Sequence, residues 1–254
     1  MPRRTLIAAN WKMTKTINEA ESFVNKMIPA LESVSHCDLS IFPPFFAVPA
    51  VAGLLQDSTV SVGAQDLFWE EKGAFTGEIS GEMIRDAGAG QVLVGHSERR
   101  HVIGENNEVI QKKLAAAYQS GLKPILCVGE TLDLREAGEA ESYVKKQVTS
   151  AISGLSKLQL AHLVIAYEPV WAIGTGKTAT PDDAEDMHSF IRQLVADTSG
   201  DDIAENLIIQ YGGSVKPDNA ASLLTREHID GALIGGASLE VDSFLAIAQA
   251  SPRG

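Results

Sequence analysis

The chain is best interpreted from the stretch Leu163-Val-Ile-Ala-Tyr-Glu-Pro-Val-Trp-Ala-Ile-Gly-Thr-Gly-Lys-Thr178. Its first five residues carry no charge and predict a buried β-strand that ends at Tyr167. Pro169 has no N–H and a fixed φ, so a central strand cannot continue through it. Glu168 therefore lies at the mouth of a buried strand, where a carboxylate is costly unless it has a partner or a chemical role. This position makes Glu168 a candidate general base.

The residues after Glu168 predict a lid. They include bulky apolar residues followed by two glycines, namely Val170, Trp171, Ile173, Gly174 and Gly176. An apolar tip between a proline and two glycines can swing over a site and exclude water. The ending Gly176-Lys177-Thr178 also fits a nucleotide-binding P-loop, but that motif needs a glycine at position 171. Trp171 stands there, which argues against the P-loop alternative.

The hydrophobic content of 44% and the charged content of 21% are typical of a globular protein with a sizeable core. A chain of 254 residues suits one large domain or two small ones, and no linker indicates a second, so we expect a single domain over residues 1–254. The formal net charge of −12 argues against nucleic acid and anionic membranes as partners. The longest apolar run is too short for a membrane helix, and the N-terminus lacks the apolar core of a signal peptide. Cys37 and Cys127 have no Cys-x-x-Cys partner, which predicts buried free thiols in a reducing compartment. We therefore expect a cytoplasmic protein.

Short apolar runs alternate with longer segments of helical periodicity along the whole chain. The predicted strands are Thr5–Ala9, Asp38–Phe42, Val60–Ala64, Gln91–Val94, Pro124–Val128, Leu163–Tyr167, Leu207–Gln210 and Gly231–Ile234. Eight strand–helix units in one chain of this length predict an α/β fold, a (β/α)8 barrel of eight parallel strands with surrounding helices. An open, doubly wound sheet is the alternative. No G-x-G-x-x-G follows the first strand, which weakens the dinucleotide-binding form of that alternative.

The helices are predicted from their apolar stripes and their ends. One stripe runs from Ile17 to Leu31, and another from Ala140 to Leu155, interrupted only by Gln147. Thr180 is a suitable N-cap, followed by Pro181 and by acids in the first turn. Helix stops are predicted at Gly121 and Gly154.

The chemically interesting residues all follow strand ends. They are Asn10 and Lys12, Gly95-His-Ser-Glu98, Glu168, Tyr211-Gly-Gly-Ser214, and Gly235-Gly236. A lone glutamate, histidine or glycine pair is more often structural than functional. In a parallel barrel, however, these residues meet at one mouth, where active sites are built. Their convergence therefore favours a function.

Each of these groups fits one part of a proton-transfer site. The two glycine pairs let the backbone approach a phosphate, to which Ser214 adds a hydroxyl. His96 lies near a helix N-terminus, which disfavours the cationic imidazole. Lys12 is placed to meet a small anion, and Glu98 is expected to orient Lys12. No metal cluster or cofactor motif competes, so the parts indicate proton abstraction next to a carbonyl through an enediolate.

The chain closely resembles the triosephosphate isomerase family in five motifs. These are Asn10-Trp-Lys12, Gly95-His-Ser-Glu-Arg-Arg100, Ala166-Tyr-Glu-Pro-Val-Trp-Ala-Ile-Gly-Thr-Gly-Lys177, Tyr211-Gly-Gly-Ser214 and Gly235-Gly236-Ala237-Ser238. The resemblance covers the chain from end to end. It implies a (β/α)8 barrel that interconverts dihydroxyacetone phosphate and glyceraldehyde 3-phosphate without a metal or cofactor, in glycolysis and gluconeogenesis.

The resemblance also implies a role for each site residue. Glu168 would move the carbon proton, and His96 would exchange protons with the two substrate oxygens as a neutral electrophile. Lys12 would stabilise negative charge, helped by Asn10. The phosphate would be bound by the residues Gly174, Ser214, Gly235 and Gly236. The loop Gln65–Glu78 is similar to the family's arm that inserts into a second subunit, which implies a homodimer.

Two residues depart from the family pattern, and one substrate alternative stays open. Ala9 stands where many relatives have Gly, and Asp66 stands where Asn is common, next to the expected interface. The intact lid motif Ile173-Gly-Thr-Gly-Lys177 favours a three-carbon substrate over a tetrulose phosphate. A non-catalytic protein on the same barrel is the alternative of a different class, and the complete set of site residues argues against it.

Overall fold

A computed structural model describes residues 3–172 and 179–252 of the protein. Eight parallel strands close into a barrel in sequence order. They are β1 (Leu6–Asn10), β2 (Asp38–Phe42), β3 (Ser61–Ala64), β4 (Gln91–Val94), β5 (Lys123–Val128), β6 (Val164–Tyr167), β7 (Ile208–Tyr211) and β8 (Gly231–Ile234). The barrel closes where β1 pairs with β8, with Leu6 opposite Gly231 and Ala9 opposite Ile234. The closed barrel is confirmed and the open sheet is excluded.

Helices connect the strands on the outside of the barrel. They are α1 (Ile17–Met27), α2 (Val48–Leu55), α3 (Gly81–Asp86), α4 (Asn107–Gln119), α5 (Leu132–Glu136), α6 (Ala140–Ile152), α7 (Lys157–Leu160), α8 (Pro181–Ser199), α9 (Asp201–Asn206), α10 (Ala220–Leu224) and α11 (Val241–Gln249). Tighter or wider turns occupy Ile28–Val34, Phe45–Ala47, Arg99–Ile103, Val170–Ala172 and Gly236–Leu239. Among the residues that the structure describes, no helix is both long and apolar enough to cross a membrane.

Two apolar cores hold the barrel together. Leu6 and Ala8 on β1 pack with Phe42, Leu233 and other inward side chains to fill the barrel. The alternate residues of the same strands pack against the helices in a larger outer core. Because each strand is covered on both faces, its sequence is a continuous apolar run rather than an alternating one. Cys127 lies in the inner core and Cys37 in the outer core, and both are free, as predicted.

The predicted elements agree closely with the structure. Every strand lies within one residue of its predicted bounds. Thr180 caps α8 through a reciprocal pair of bonds with Asp183, and Gly121 and Gly154 take positive φ directly after the caps of α4 and α6. The prediction of a buried apolar stripe from Ile17 to Leu31 is partly wrong. Ile17, the first residue of α1, is 42% exposed, and Ile28, where α1 gives way to a tighter turn, is 37% exposed.

Candidate active site

A cavity of about 790 Å³ opens at the mouth of the barrel, where the carboxyl ends of the strands meet. Its lining includes Asn10, Lys12, His96, Glu168, Ser214, Gly235 and Gly236. The structure therefore brings together all the predicted site residues that it describes. Gly174 and the rest of the segment 173–178 lie outside the described residues. Within the described ranges, no group of three His, Cys, Asp or Glu side chains is arranged to bind a metal.

Glu168 follows β6 directly and is only 2% exposed. Its Oε1 atom lies 2.8 Å from Nε2 of His96, and its Oε2 atom accepts a hydrogen bond of 2.9 Å from the backbone N–H of Ser97. Two glycines leave room for it, since a Cβ on Gly212 would lie 2.8 Å from Cγ of Glu168 and a Cβ on Gly129 would lie 1.7 Å from its carbonyl oxygen. The buried carboxylate thus has partners for both oxygens.

His96 is buried and is bounded by hydrogen-bonding groups on both ring nitrogens. Nδ1 accepts a 3.3 Å hydrogen bond from the backbone N–H of Glu98, so the neutral ring carries its proton on Nε2, facing Glu168. Burial lowers the pKa of His96, but the charge and the hydrogen bond of Glu168 together raise it above its ordinary value. The expectation of a disfavoured cation does not agree with this pKa direction, because the charge and the hydrogen bond of Glu168 outweigh burial.

Lys12 is fixed at both its backbone and its side chain. Its φ of 51° is left-handed, which is strained for a residue with a Cβ. Oδ1 of the buried Asn10 accepts from the Lys12 N–H at 2.9 Å, and Nε2 of Gln65 donates to the Lys12 carbonyl at 2.8 Å. Nζ lies 2.6 Å from Oε1 of Glu98, the carboxylate expected to orient it. These contacts place the ammonium in the cavity.

The turns after β7 and β8 form the opposite wall of the cavity. Ser214 begins a turn in which its carbonyl accepts from Nδ2 of Asn219 at 3.0 Å. Gly235 faces Lys12 closely, since a Cβ there would lie 3.3 Å from Cε of that lysine. Gly236 begins the tight turn that ends at Leu239. An ammonium and two flexible turns around one cavity can bind a small anion.

Several functional contacts were missed by sequence reasoning. Glu130, which is fully buried, accepts from the Tyr167 hydroxyl at 3.0 Å and from Nε1 of Trp171 at 2.9 Å. Burial, reinforced by the Glu130 carboxylate, raises the pKa of Tyr167 far above its usual value. The guanidinium carbon of Arg135 lies 4.7 Å from the centre of the Trp171 ring. These groups lie at the start of the predicted lid, and their sequence signal is only the pair Gly129-Glu130 directly after β5.

The sequence matches the family model of triosephosphate isomerase over residues 5–251. The chain belongs to the triosephosphate isomerase family. A triosephosphate isomerase of Carboxydothermus hydrogenoformans is 51% identical over 249 residues, which cover 98% of this chain and 99% of the relative. One from Roseiflexus sp. (strain RS-1) is 52% identical over 250 residues, covering 98% of both chains.

A third triosephosphate isomerase, from Moorella thermoacetica, is 51% identical over 245 residues, covering 96% of this chain and 98% of the relative. The family match includes all five motifs quoted above, because each lies between residues 5 and 251. Membership in the triosephosphate isomerase family therefore agrees with both the barrel and the residues at its mouth.

Proposed function

We propose that the protein is a triose-phosphate isomerase that interconverts dihydroxyacetone phosphate and D-glyceraldehyde 3-phosphate in glycolysis and gluconeogenesis. The proposal rests on one observation. A carboxylate, an imidazole and an ammonium line a single cavity together with two glycine-containing turns, in the residues Glu168, His96, Lys12, Gly235 and Gly236. Such a set can move protons between adjacent carbon and oxygen atoms without a metal or cofactor.

Glu168 is the base in this proposal. It takes a proton from one substrate carbon, forming an enediolate, and returns it to the neighbouring carbon. His96 serves as the neutral electrophile, because the Nδ1 atom that accepts from Glu98 leaves the Nε2 proton for substrate oxygens. Glu168 has to release His96 and Ser97 to reach the substrate, and His96 becomes less basic when the carboxylate leaves.

The phosphate and the developing charge are bound by separate groups. Lys12 stabilises the negative oxygen of the enediolate, while Asn10 keeps the Lys12 backbone in position. Ser214, Gly235 and Gly236 bind the phosphate, and Gly174 joins them from the lid. Backbone N–H donors explain how a chain with a net charge of −12 binds a dianion.

A coupled assay with glyceraldehyde 3-phosphate tests the activity directly. Glu168→Ala should lower kcat by about 10²–10⁴, the usual effect of removing a general base. Undiminished turnover in this variant would refute the assigned base. Comparing kcat/KM for the triose and tetrulose phosphates separates the two substrates, and a preference for the four-carbon sugar would overturn the choice.

We also propose a homodimer in which the loop Gln65–Glu78 inserts into a second copy. Within this loop the ring of Phe68 stacks on Trp69 with centroids 4.1 Å apart and packs on Phe75 at 4.6 Å. These aromatic contacts order the loop within the single chain. Its tip residue Phe75 is 41% exposed. A second cavity of about 420 Å³, lined by exposed apolar side chains such as Met13 and Val102, suits this tip from the partner.

Light scattering after size exclusion tests the dimer. Phe75→Asp should give a monomer, because a charge would be buried at the interface. Leu158→Asp is the control, since Leu158 is 72% exposed but lies on α7 before β6, at the other end of the barrel. A Phe75→Asp protein that keeps the wild-type mass would refute the assigned arm.

The same reasoning places the protein in the cytoplasm. Both cysteines are free and buried, which suits a reducing compartment. Fractionation of the source cells with an antibody tests this, and recovery of the protein outside the cytoplasm would contradict it.

A further inference from the structure

Lys15 connects the loop after β1 to the turn after β8, across 224 positions of sequence. Its Nζ donates a 2.8 Å hydrogen bond to the carbonyl oxygen of Leu239. Leu239 ends the turn that begins at Gly236, and Lys15 follows Lys12 by three residues. The contact therefore joins two neighbouring segments of the active-site wall, which follow the paired strands β1 and β8.

The Lys15 side chain is enclosed by aromatic rings as well as by this carbonyl. Its Nζ lies 5.4 Å from the ring centre of Trp11 and 5.0 Å from that of Phe23. These two rings pack edge to face with centroids 5.0 Å apart, and both belong to the outer core. An ammonium between aromatic faces and a carbonyl is held in one place rather than moving freely in solvent.

The backbone of Lys15 is strained, with a φ of 70°. Among the described residues, Lys12 and Lys15 are the only ones other than glycine with positive φ. A left-handed conformation is unfavourable for a residue with a Cβ and persists only where surrounding contacts enforce it. A glycine would take this conformation without strain, so the lysine side chain at position 15 has a compensating use.

The turn after β8 lies close to the side chain of Lys12. A Cβ on Gly235 would lie 3.3 Å from Cε and 3.8 Å from Nζ of Lys12, so Gly235, directly after β8, lies beside the Lys12 side chain. A shift of this turn by an ångström would separate the ammonium from the backbone amides of the turn. A phosphorylated substrate contacts both, so its affinity depends on their separation.

We propose that Lys15 is a positioning residue that fixes the turn Gly236–Leu239 against the Lys12 loop, so that the two sides of the phosphate site keep one spacing. The inference rests on the proposed function, because it assumes that this turn binds the substrate phosphate. Lys15 itself contacts the turn rather than the substrate, so its loss should weaken binding of ground state and transition state alike.

The test compares Lys15→Met, which keeps most of the stem, with Lys15→Gly, which also removes the backbone strain and so favours folding. Lys26→Met is the matched control, because Lys26 joins the same two barrel units through a 2.9 Å ion pair with Asp242 on α11 and not through the turn Gly236–Leu239. Calorimetric titration with inorganic phosphate gives Kd, and steady-state kinetics gives kcat and KM.

Both Lys15 variants should raise the phosphate Kd and the KM together by about tenfold, while kcat changes by less than about threefold. Lys26→Met should leave all three constants at wild-type values. An unchanged phosphate Kd in Lys15→Gly, or an equal rise in Lys26→Met, overturns the inference. A loss confined to kcat also overturns it.

The phosphate titration separates this inference from the proposed function. If the wild type binds phosphate but does not isomerise the triose, the proposed function fails and the Lys15 comparison remains decisive. If the wild type isomerises the triose but the Lys15 variants bind phosphate normally, the positioning role alone fails. If the wild type binds no phosphate, the positioning role fails together with the phosphate site.

Discussion

Nε2 of His96 lies 2.8 Å from Oε1 of Glu168, so the proposed base and the proposed electrophile contact each other directly. The second oxygen of Glu168 accepts from the N–H of Ser97 at 2.9 Å. The Glu168 carboxylate therefore packs against the loop after β4, where it contacts His96 and Ser97.

The first prediction concerns the pKa of His96. Glu168→Gln should lower this pKa, because the variant removes the negative charge that opposes burial. Titration of the ring resonances by NMR measures the change. Glu98→Gln is the control, since its Oε2 lies farther away, at 3.5 Å from Nδ1, and a smaller shift is expected. An unchanged pKa in Glu168→Gln would show that the contact does not govern the imidazole.

The second prediction concerns the space beside Glu168. Gly212→Ala should lower kcat by about 10–10², because the new Cβ would lie 2.8 Å from Cγ of Glu168 and displace the carboxylate. Gly53→Ala is the control, since a Cβ at that helical position meets nothing within 4 Å. Steady-state kinetics measures kcat for both variants. Equal kcat values for Gly212→Ala and Gly53→Ala would disprove the steric role of Gly212.

The barrel was predictable because strands covered on both faces leave a strong signal in sequence. β6 is an apolar run that stops at a charged residue and a proline, and both features act within a few residues. The places of Glu168, His96 and Lys12 then follow, since a parallel barrel brings all strand ends to one mouth. Local chemistry and simple topology were sufficient for this much of the site.

The contacts between distant loops were not predictable in the same way. Nothing near Glu130 in sequence indicates that it accepts from both Tyr167 and Trp171. The pair Gly212-Gly213 predicts a phosphate contact, but it does not indicate that a Cβ at Gly212 would meet the side chain of Glu168. Such roles depend on ångström-scale approaches between different βα loops, which periodicity and spacing do not encode. The exposure of Ile17 was missed for a similar reason, because an apolar stripe does not specify which of its edges the barrel covers.

The third prediction concerns the buried acceptor at the start of the lid. Glu130→Ala should lower the free energy of unfolding by about 1–3 kcal/mol, because it leaves the buried Tyr167 hydroxyl without its acceptor. Glu130→Gln keeps an acceptor oxygen and should cost less. Urea unfolding measures both, with the exposed Glu136→Ala as control. A Glu130→Ala protein as stable as the wild type would contradict the prediction.

A buried charge cluster lies behind the active site. Nζ of Lys113 contacts Asp66 at 2.6 Å and Glu105 at 2.6 Å, and Nε of Arg99 lies 2.9 Å from Asp66 and 2.6 Å from Glu105. Burial raises the pKa of Asp66 to about 6, with Glu105 adding to the effect and Lys113 opposing it. Asp66 and Glu105 thus share the cations Lys113 and Arg99.

The fourth prediction is a pH dependence of stability that originates in Asp66. The folded pKa of about 6 lies above the ordinary value of 3.8, so the native protein binds more protons than the unfolded chain between these values. Stability therefore falls as pH rises through this window. Asp66→Asn removes this titration. The free energy of unfolding of the variant, relative to that of the wild type, should therefore rise by about 1–3 kcal/mol between pH 4 and pH 8.

Urea unfolding at one fixed protein concentration measures this difference, because a dimer's stability depends on concentration. Asp57→Asn is the control, since it removes a carboxylate from an exposed position outside the cluster. If the free energies of unfolding of Asp66→Asn and the wild type differ by the same amount from pH 4 to pH 8, Asp66 titrates alike in the folded and unfolded chains. A difference that grows more negative with pH would mean that the ion pairs to Lys113 and Arg99 outweigh burial.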